Sequence, residues 1–242
     1  MREEAAKVEW LDSMDIRYNE DFFSLWGEEH ATLGHATDIY QGSIGNCWFM
    51  QGASSVAMKE SRLESIFYNT QLSNNGIYAV KLYVLGVPTT ITVDDSIPTV
   101  GGNSIFGNAS KDGALWGIVL EKAFAKLHGN YESIEGGQSK HSVGVLIGAP
   151  SEPYHHNSND AAALWTAITQ AVANGNMITA GTPGGDDTSR SARGIAQGHG
   201  YTVLNAVEVN GNKLVRVRNP WGKENYSGPW NDNDTSKWDE SI

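Results

Sequence analysis

The sequence predicts an α+β protein whose front half is mainly helical and whose back half is mainly antiparallel β. Three observations carry this. Apolar residues recur at helical spacing over about 113–128. They recur again over roughly 160–174. Two strand-like runs, from His199 to about Val209 and from Lys213 to Asn219, flank Asn210-Gly211, a strong hairpin turn.

In chain order, residues 1–40 read as a lead-in, with a short helix-like start and an aromatic patch at Phe22, Phe23, Leu25 and Trp26. Cys47 to Met58 contains no proline and is rich in Gly52, Ala53, Ser54, Ser55 and Ala57, which predicts a buried helix able to approach neighbouring backbone closely. Alternation over Ile77–Val84 and the β-branched run Thr89–Val93 predict two strands. Asp94 to Pro98 breaks that run, and Val100 to Gly113 reads as loop. In the helix over 113–128, Leu115, Trp116, Val119, Leu120, Ala123, Phe124 and Leu127 form one apolar stripe, and Gly129-Asn130 stops it. The second helix presents Leu164, Ala167, Ile168, Ala171 and Val172 on one face and stops at Asn174-Gly175. Residues 182–198 are polar and turn-rich and predict a mobile loop. The linker-like Gly148 to Pro153 places a boundary near 145–155, dividing the chain into 1–150 and 151–242.

With 242 residues, 40% of them hydrophobic, the chain can bury one substantial core or two modest ones. A net charge of −11 argues against a nucleic-acid partner, because phosphate neutralisation needs clustered Lys and Arg. No stretch approaches the roughly 20 apolar residues of a membrane span. The first residues lack the apolar core of a signal peptide. One cysteine excludes an internal disulfide and suits a reducing compartment, so the expected location is cytoplasmic.

That cysteine lies in Gln41-Gly42-Ser43-Ile44-Gly45-Asn46-Cys47-Trp48. Gly198-His199-Gly200-Tyr201 and Arg218-Asn219-Pro220-Trp221-Gly222 follow downstream. A thiol gains thiolate character at a helix N-terminus and beside a protonated imidazole. Cys47 is expected to meet the first condition and His199 to supply the second, taking the thiol proton and returning it to the leaving amine. Asn219 is expected to orient the imidazole, and Gln41 with the Cys47 N–H to face the oxyanion. On an ideal hairpin ladder His199 and Asn219 fall roughly three or four residues short of direct opposition, so a bulge is expected near Asn205 to Glu208. Taken singly, each residue has an ordinary alternative: a buried cysteine, a structural histidine, a turn-starting Asn219, and core tryptophans at 48 and 221.

Taken together, these residues resemble the calpain family of cysteine endopeptidases. The likeness runs through Asp38 to Phe49, Val93 to Pro98, Leu115-Trp116, Leu120 to Lys126, Gly198 to Tyr201, Arg216 to Gly222 and Gly228 to Asp232. It implies a papain-like core of two subdomains, limited cleavage of protein or peptide substrates inside cells, no cofactor for the chemistry, Ca2+ as an activator, and further calpain modules outside this chain. Position by position it implies Cys47 as nucleophile, His199 as base and acid, Asn219 as orienter and Gln41 as oxyanion donor. Trp221 would shield the His–Asn pair and form one wall of the cleft, with Gly198 beside the substrate. Asp38 and Asp232 match calcium ligands. The acidic partner of the first falls at Ala114, with Asp112 two residues away, and that of the second at Asn225. Oxygen-rich sets suit calcium; the remaining family ligands would lie beyond Ile242, which implies a core truncated at its C-terminus.

The chain departs from the family pattern in having Asn46 where an aspartate is usual, and in a short stretch between Tyr131 and Ala161. Two alternatives remain open here. One is a transglutaminase-type acyl transferase, whose third member is usually acidic. The other is a catalytically silent calpain-like binding or scaffold module.

Overall fold

The computed structural model describes residues 8–12, 24–26, 34–156, 160–223 and 226–238. The helix-like start, Phe22, Phe23 and Asn225 lie outside them. The described chain runs through strand β1 (Glu9–Leu11), helices α1 (Cys47–Ala57) and α2 (Glu60–Ile66), and strands β2 (Ile77–Val84), β3 (Val87–Asp94), β4 (Ile97–Val100) and β5 (Asn103–Ser104). It continues through α3 (Trp116–His128), α4 (Ser139–Ile147) and α5 (Ala161–Ala173), then β6 (Thr179–Gly181), β7 (Gly200–Val209) and β8 (Asn212–Arg218). Among the described residues every sheet pairing is antiparallel: β1-β4-β5, β2-β3 and β6-β7-β8. The α+β architecture anticipated from the sequence is therefore the observed one. Among the described residues no helix is long and apolar enough to cross a membrane.

Helix α1 is buried along its whole length and packs against both α4 and β7. The α3 stripe faces the same core, with Phe124 stacked on Phe49 at 3.8 Å between ring centroids. Burying a side chain of the size of Trp116, Leu120 or Phe124 contributes about 1.5–3 kcal/mol each. The expected helix over 113–128 begins only at Trp116, because the backbone before it is engaged elsewhere: Ser24 donates to Gly113, and Leu115 donates back to Ser24. Helices α2 and α4 were not anticipated. Both are short, seven and nine residues, and carry too few periodic positions to stand out. The loop expected over 100–113 contains the two-residue strand β5, which pairs with β4.

Helix α5 matches its expected span within a residue at each end; the Asp160 side chain caps it by accepting from Ala163 N–H at 2.6 Å. The β7-β8 hairpin carries a bulge slightly earlier than expected. Thr202 faces Arg218 and Val203 faces Val217, but Asn205 faces Arg216, so Leu204 is the extra residue. This one residue decides which face Asn219 presents. Continuing the post-bulge register places Asn219 opposite Tyr201, on the face shared by His199. Without the bulge Asn219 would oppose Thr202 and turn to the other face.

Candidate active site

Cys47 is the first residue of α1 and is 9% exposed. The helix starts at Asn46, whose carbonyl accepts from the N–H groups of Phe49 and Met50 at 2.9 and 3.1 Å. The second turn of α1 meets the start of β7. Thr202 Oγ1 donates to the Gln51 carbonyl at 2.7 Å. Gly200 faces the same residue: a Cβ there would lie 2.6 Å from Gln51 Nε2, so the Gln51 amide would have to move aside. His199 immediately precedes Gly200, whose backbone N–H is directed at the Cys47 sulfur at the N-terminus of α1.

His199 is 2% exposed. Its Nε2 lies 2.9 Å from Asn219 Oδ1, and that oxygen also accepts from the Trp221 N–H at 3.0 Å. An amide oxygen can only accept, so Nε2 carries the proton and Nδ1 is the bare nitrogen. Nδ1 is buried and has no hydrogen-bond partner among the described residues. The Trp221 ring lies over the imidazole at 4.1 Å between centroids, and Tyr201 meets it edge-on at 5.0 Å. Backbone bonds between His199 and Thr182 at 3.0 Å, and from His199 N–H to Thr182 Oγ1 at 3.1 Å, fix the strand beneath the ring.

Gln41 is buried and its Nε2 donates to the Ile44 carbonyl at 2.7 Å, which uses one of two amide hydrogens. Its backbone N–H donates to the Pro220 carbonyl at 2.8 Å, tying the glutamine directly to the Asn219–Trp221 turn. Gly198 is exposed beside His199 with φ +55°; a Cβ there would meet the Gly185 carbonyl oxygen at 2.6 Å. Glycine at 198 is thus required by the backbone of the 182–198 loop. Hydrogen bonds and ring contacts join His199, Asn219, Trp221 and Gln41, and the Gly200 N–H reaches the Cys47 sulfur; among the described residues no hydrogen bond joins Cys47 to His199.

Burial acts against the ion pair expected from the sequence. Burial pushes the Cys47 thiol up, opposed by backbone N–H groups of Gly200, Trp48 and Cys47 itself that favour the thiolate. Burial pulls His199 down, opposed by its bond to Asn219. Each group taken alone favours its neutral form. The nearby Asp187 carboxylate raises both, and the Arg190 guanidinium, which lies 4.7 Å from the Trp221 ring centroid, lowers His199.

Several residues of the site were not singled out from the sequence. Arg218 donates to the carbonyls of Asn219, Thr37 and Ile39 at 2.6, 2.7 and 2.9 Å, bracing β8 against the segment that leads into Gln41. Asp187 and Arg190 sit in the 182–198 loop, where polarity signalled a loop and nothing more. Glu121 is fully buried on α3, one hydrogen bond from Asn46. A charge inside an otherwise apolar helical stripe was the available signal for it.

Asp38 is buried, and its Oδ2 accepts from Trp116 Nε1 at 2.9 Å and from His35 N–H at 2.5 Å. Asp232 is exposed. No group of three or more His, Cys, Asp or Glu side chains that could hold a metal ion occurs among the described residues. Calcium asks for six to eight oxygens. The described carboxylates do not gather into such a set.

The profile of calpain family cysteine proteases matches residues 1–241. The calpain-type cysteine protease DEK1 of Zea mays is 36% identical over 216 residues, covering 86% of this chain and 10% of the relative. DEK1 of Arabidopsis thaliana is 35% identical over 214 residues, covering 85% and 10%. The calpain-2 catalytic subunit of Homo sapiens is 31% identical over 207 residues, covering 81% and 29%. The chain thus spans about a tenth of the plant relatives' length and under a third of the human one. On the match across nearly its whole length, this chain belongs to the calpain family of cysteine proteases.

Proposed function

We propose that this chain is the protease core of a calpain-type cysteine endopeptidase, with residues 1–150 supplying Gln41 and Cys47 and residues 151–242 supplying His199 and Asn219. The observation that supports this best is the His199 ring: Nε2 held by Asn219 at 2.9 Å, Nδ1 bare, and Trp221 over one face. A bare Nδ1 is the state of a general base before it accepts a proton.

In this reading the Cys47 proton passes to Nδ1 as sulfur attacks the carbonyl carbon of a peptide. The resulting oxyanion faces the Cys47 N–H and the remaining Gln41 amide hydrogen. The C–N bond then breaks, and Nδ1 returns its proton to the leaving amine. Water attacks the thioester, gives a proton to His199, and displaces sulfur, which recovers that proton. Asn219 holds the ring without drawing off its proton, and Trp221 keeps water from the His199–Asn219 bond.

Peptide hydrolysis tests the proposal. Cys47→Ser and His199→Ala should retain the fold and lose hydrolysis by on the order of a thousandfold or more. Incorporation of a labelled amine into a glutamine substrate, without peptide cleavage, would instead favour acyl transfer. One observation favours a second reading, a silent binding module: burial drives both thiol and imidazole towards neutrality. Alkylation of Cys47 by iodoacetamide no faster than that of a free cysteine, together with no hydrolysis, would establish it.

A further inference from the structure

The buried carboxyl of Glu121 has no part in the chemistry above, yet it reaches the residue next to the nucleophile. Its Oε1 accepts from Asn46 Nδ2 at 2.7 Å, and its Oε2 accepts from the Gly107 N–H at 2.8 Å. Asn46 and Glu121 are both 0% exposed. Asn46 is the N-cap of α1, but its side chain makes no capping bond to the helix; it is directed to Glu121 instead. The two bonds of Glu121 therefore join two segments. One is the run from Gln41 to Cys47. The other is the loop around Gly107, which also receives Ser43 N–H on the Ile105 carbonyl at 3.0 Å and donates Asn108 N–H to the Tyr40 carbonyl at 2.8 Å.

We infer that Glu121, acting through Asn46, is a positioning residue that sets the Cys47 sulfur and the adjoining Gln41 segment in place for attack. The inference rests on the proposed nucleophile. Its chemistry is specific to the pair. Ionised Glu121 accepts two N–H bonds, as observed. Protonated Glu121 has a hydroxyl to donate, and Asn46 Oδ1, buried and without a hydrogen-bond partner among the described residues, receives it if the amide turns over. An asparagine at 46 thus satisfies either protonation state, whereas an aspartate there would place a second carboxyl against the first. The groups facing Glu121 are Asn46 ahead of α1, Gly107 in the loop after β5, and the Tyr131 phenol after α3, whose own ionisation the Glu121 charge opposes.

The test compares Glu121→Ala, Glu121→Gln and Asn46→Ala in this chain, using two readouts. The first is the second-order rate of Cys47 alkylation by iodoacetamide, and the second is kcat and KM for peptide hydrolysis. Circular dichroism confirms folding. Glu121→Ala and Asn46→Ala should lower both the alkylation rate and kcat by roughly tenfold to a hundredfold, with KM changed by less than about threefold. Glu121→Gln, which can accept from Gly107 and donate to a turned Asn46, should recover most of the loss. Should the alanine variant at 121 fail to fold, Asn46→Ala carries the test alone. Unchanged alkylation in a folded Asn46→Ala variant overturns the inference, as does a folded Glu121→Gln as impaired as Glu121→Ala. If hydrolysis is absent in every protein but alkylation follows the stated order, the positioning role stands and the protease reading fails.

Discussion

Replacing Glu121 with glutamine should change how stability depends on pH, quite apart from any effect on rate. Burial raises this carboxyl from the ordinary 4.5 to about 7, against the pull of its bonds from Asn46 and Gly107. For an acid whose folded value is raised, the unfolded chain releases its proton first. Stability from this group is complete below about 4.5 and is lost progressively as pH rises to about 7, beyond which the loss is constant. At about 1.4 kcal/mol per pH unit, that interval corresponds to roughly 3 kcal/mol, a large part of a typical folding free energy. Glutamine mimics the neutral carboxyl and has no proton to lose. Relative to the parent protein, Glu121→Gln should therefore gain up to about 3 kcal/mol between pH 4.5 and 7. Urea unfolding at half-unit intervals from pH 4.5 to 8 measures both proteins under two-state conditions. A stability difference that stays flat across this range would refute the claim that Glu121 is a desolvated carboxyl.

Deleting Leu204 removes the bulge and turns Asn219 away from His199; hydrolysis should fall by about tenfold or more while the hairpin persists, as read by kinetics beside circular dichroism. Asp187→Asn removes the carboxylate that raises both reacting groups. The pH profile of Cys47 alkylation and the His199 titration followed by NMR should both move to lower pH, and an upward movement of either contradicts the electrostatic account. Arg218→Ala removes three charge-assisted bonds to carbonyls, two of them on the segment before Gln41. It should cost about 2–4 kcal/mol in urea unfolding, with Arg218→Lys recovering part of this.

Much of the site was legible because its parts are carried by local patterns. Cys47 at a small-residue helix start, His199 and Asn219 on the arms of an Asn-Gly hairpin, and Trp221 behind Asn219 all follow from short-range spacing. Periodicity likewise marked α3 and α5, the longest helices, whose residue ranges came out within three residues. Helices α2 and α4 escaped because seven and nine residues leave too short a record of period.

What the sequence determined by itself was the inventory and the local geometry: which side chains carry chemistry, and which turn or helix end presents each. These depend on backbone preferences acting over a few residues. The tertiary structure decided the rest. It set the bulge at Leu204 that brings Asn219 to the face of His199, the Arg218 brace that ties the two halves together, and the enclosure of Glu121 against Asn46. It also set the direction in which each ionisation moves, because removing a thiol, an imidazole and a carboxyl from water favours their neutral forms, and only packing against distant segments determines how far water is removed.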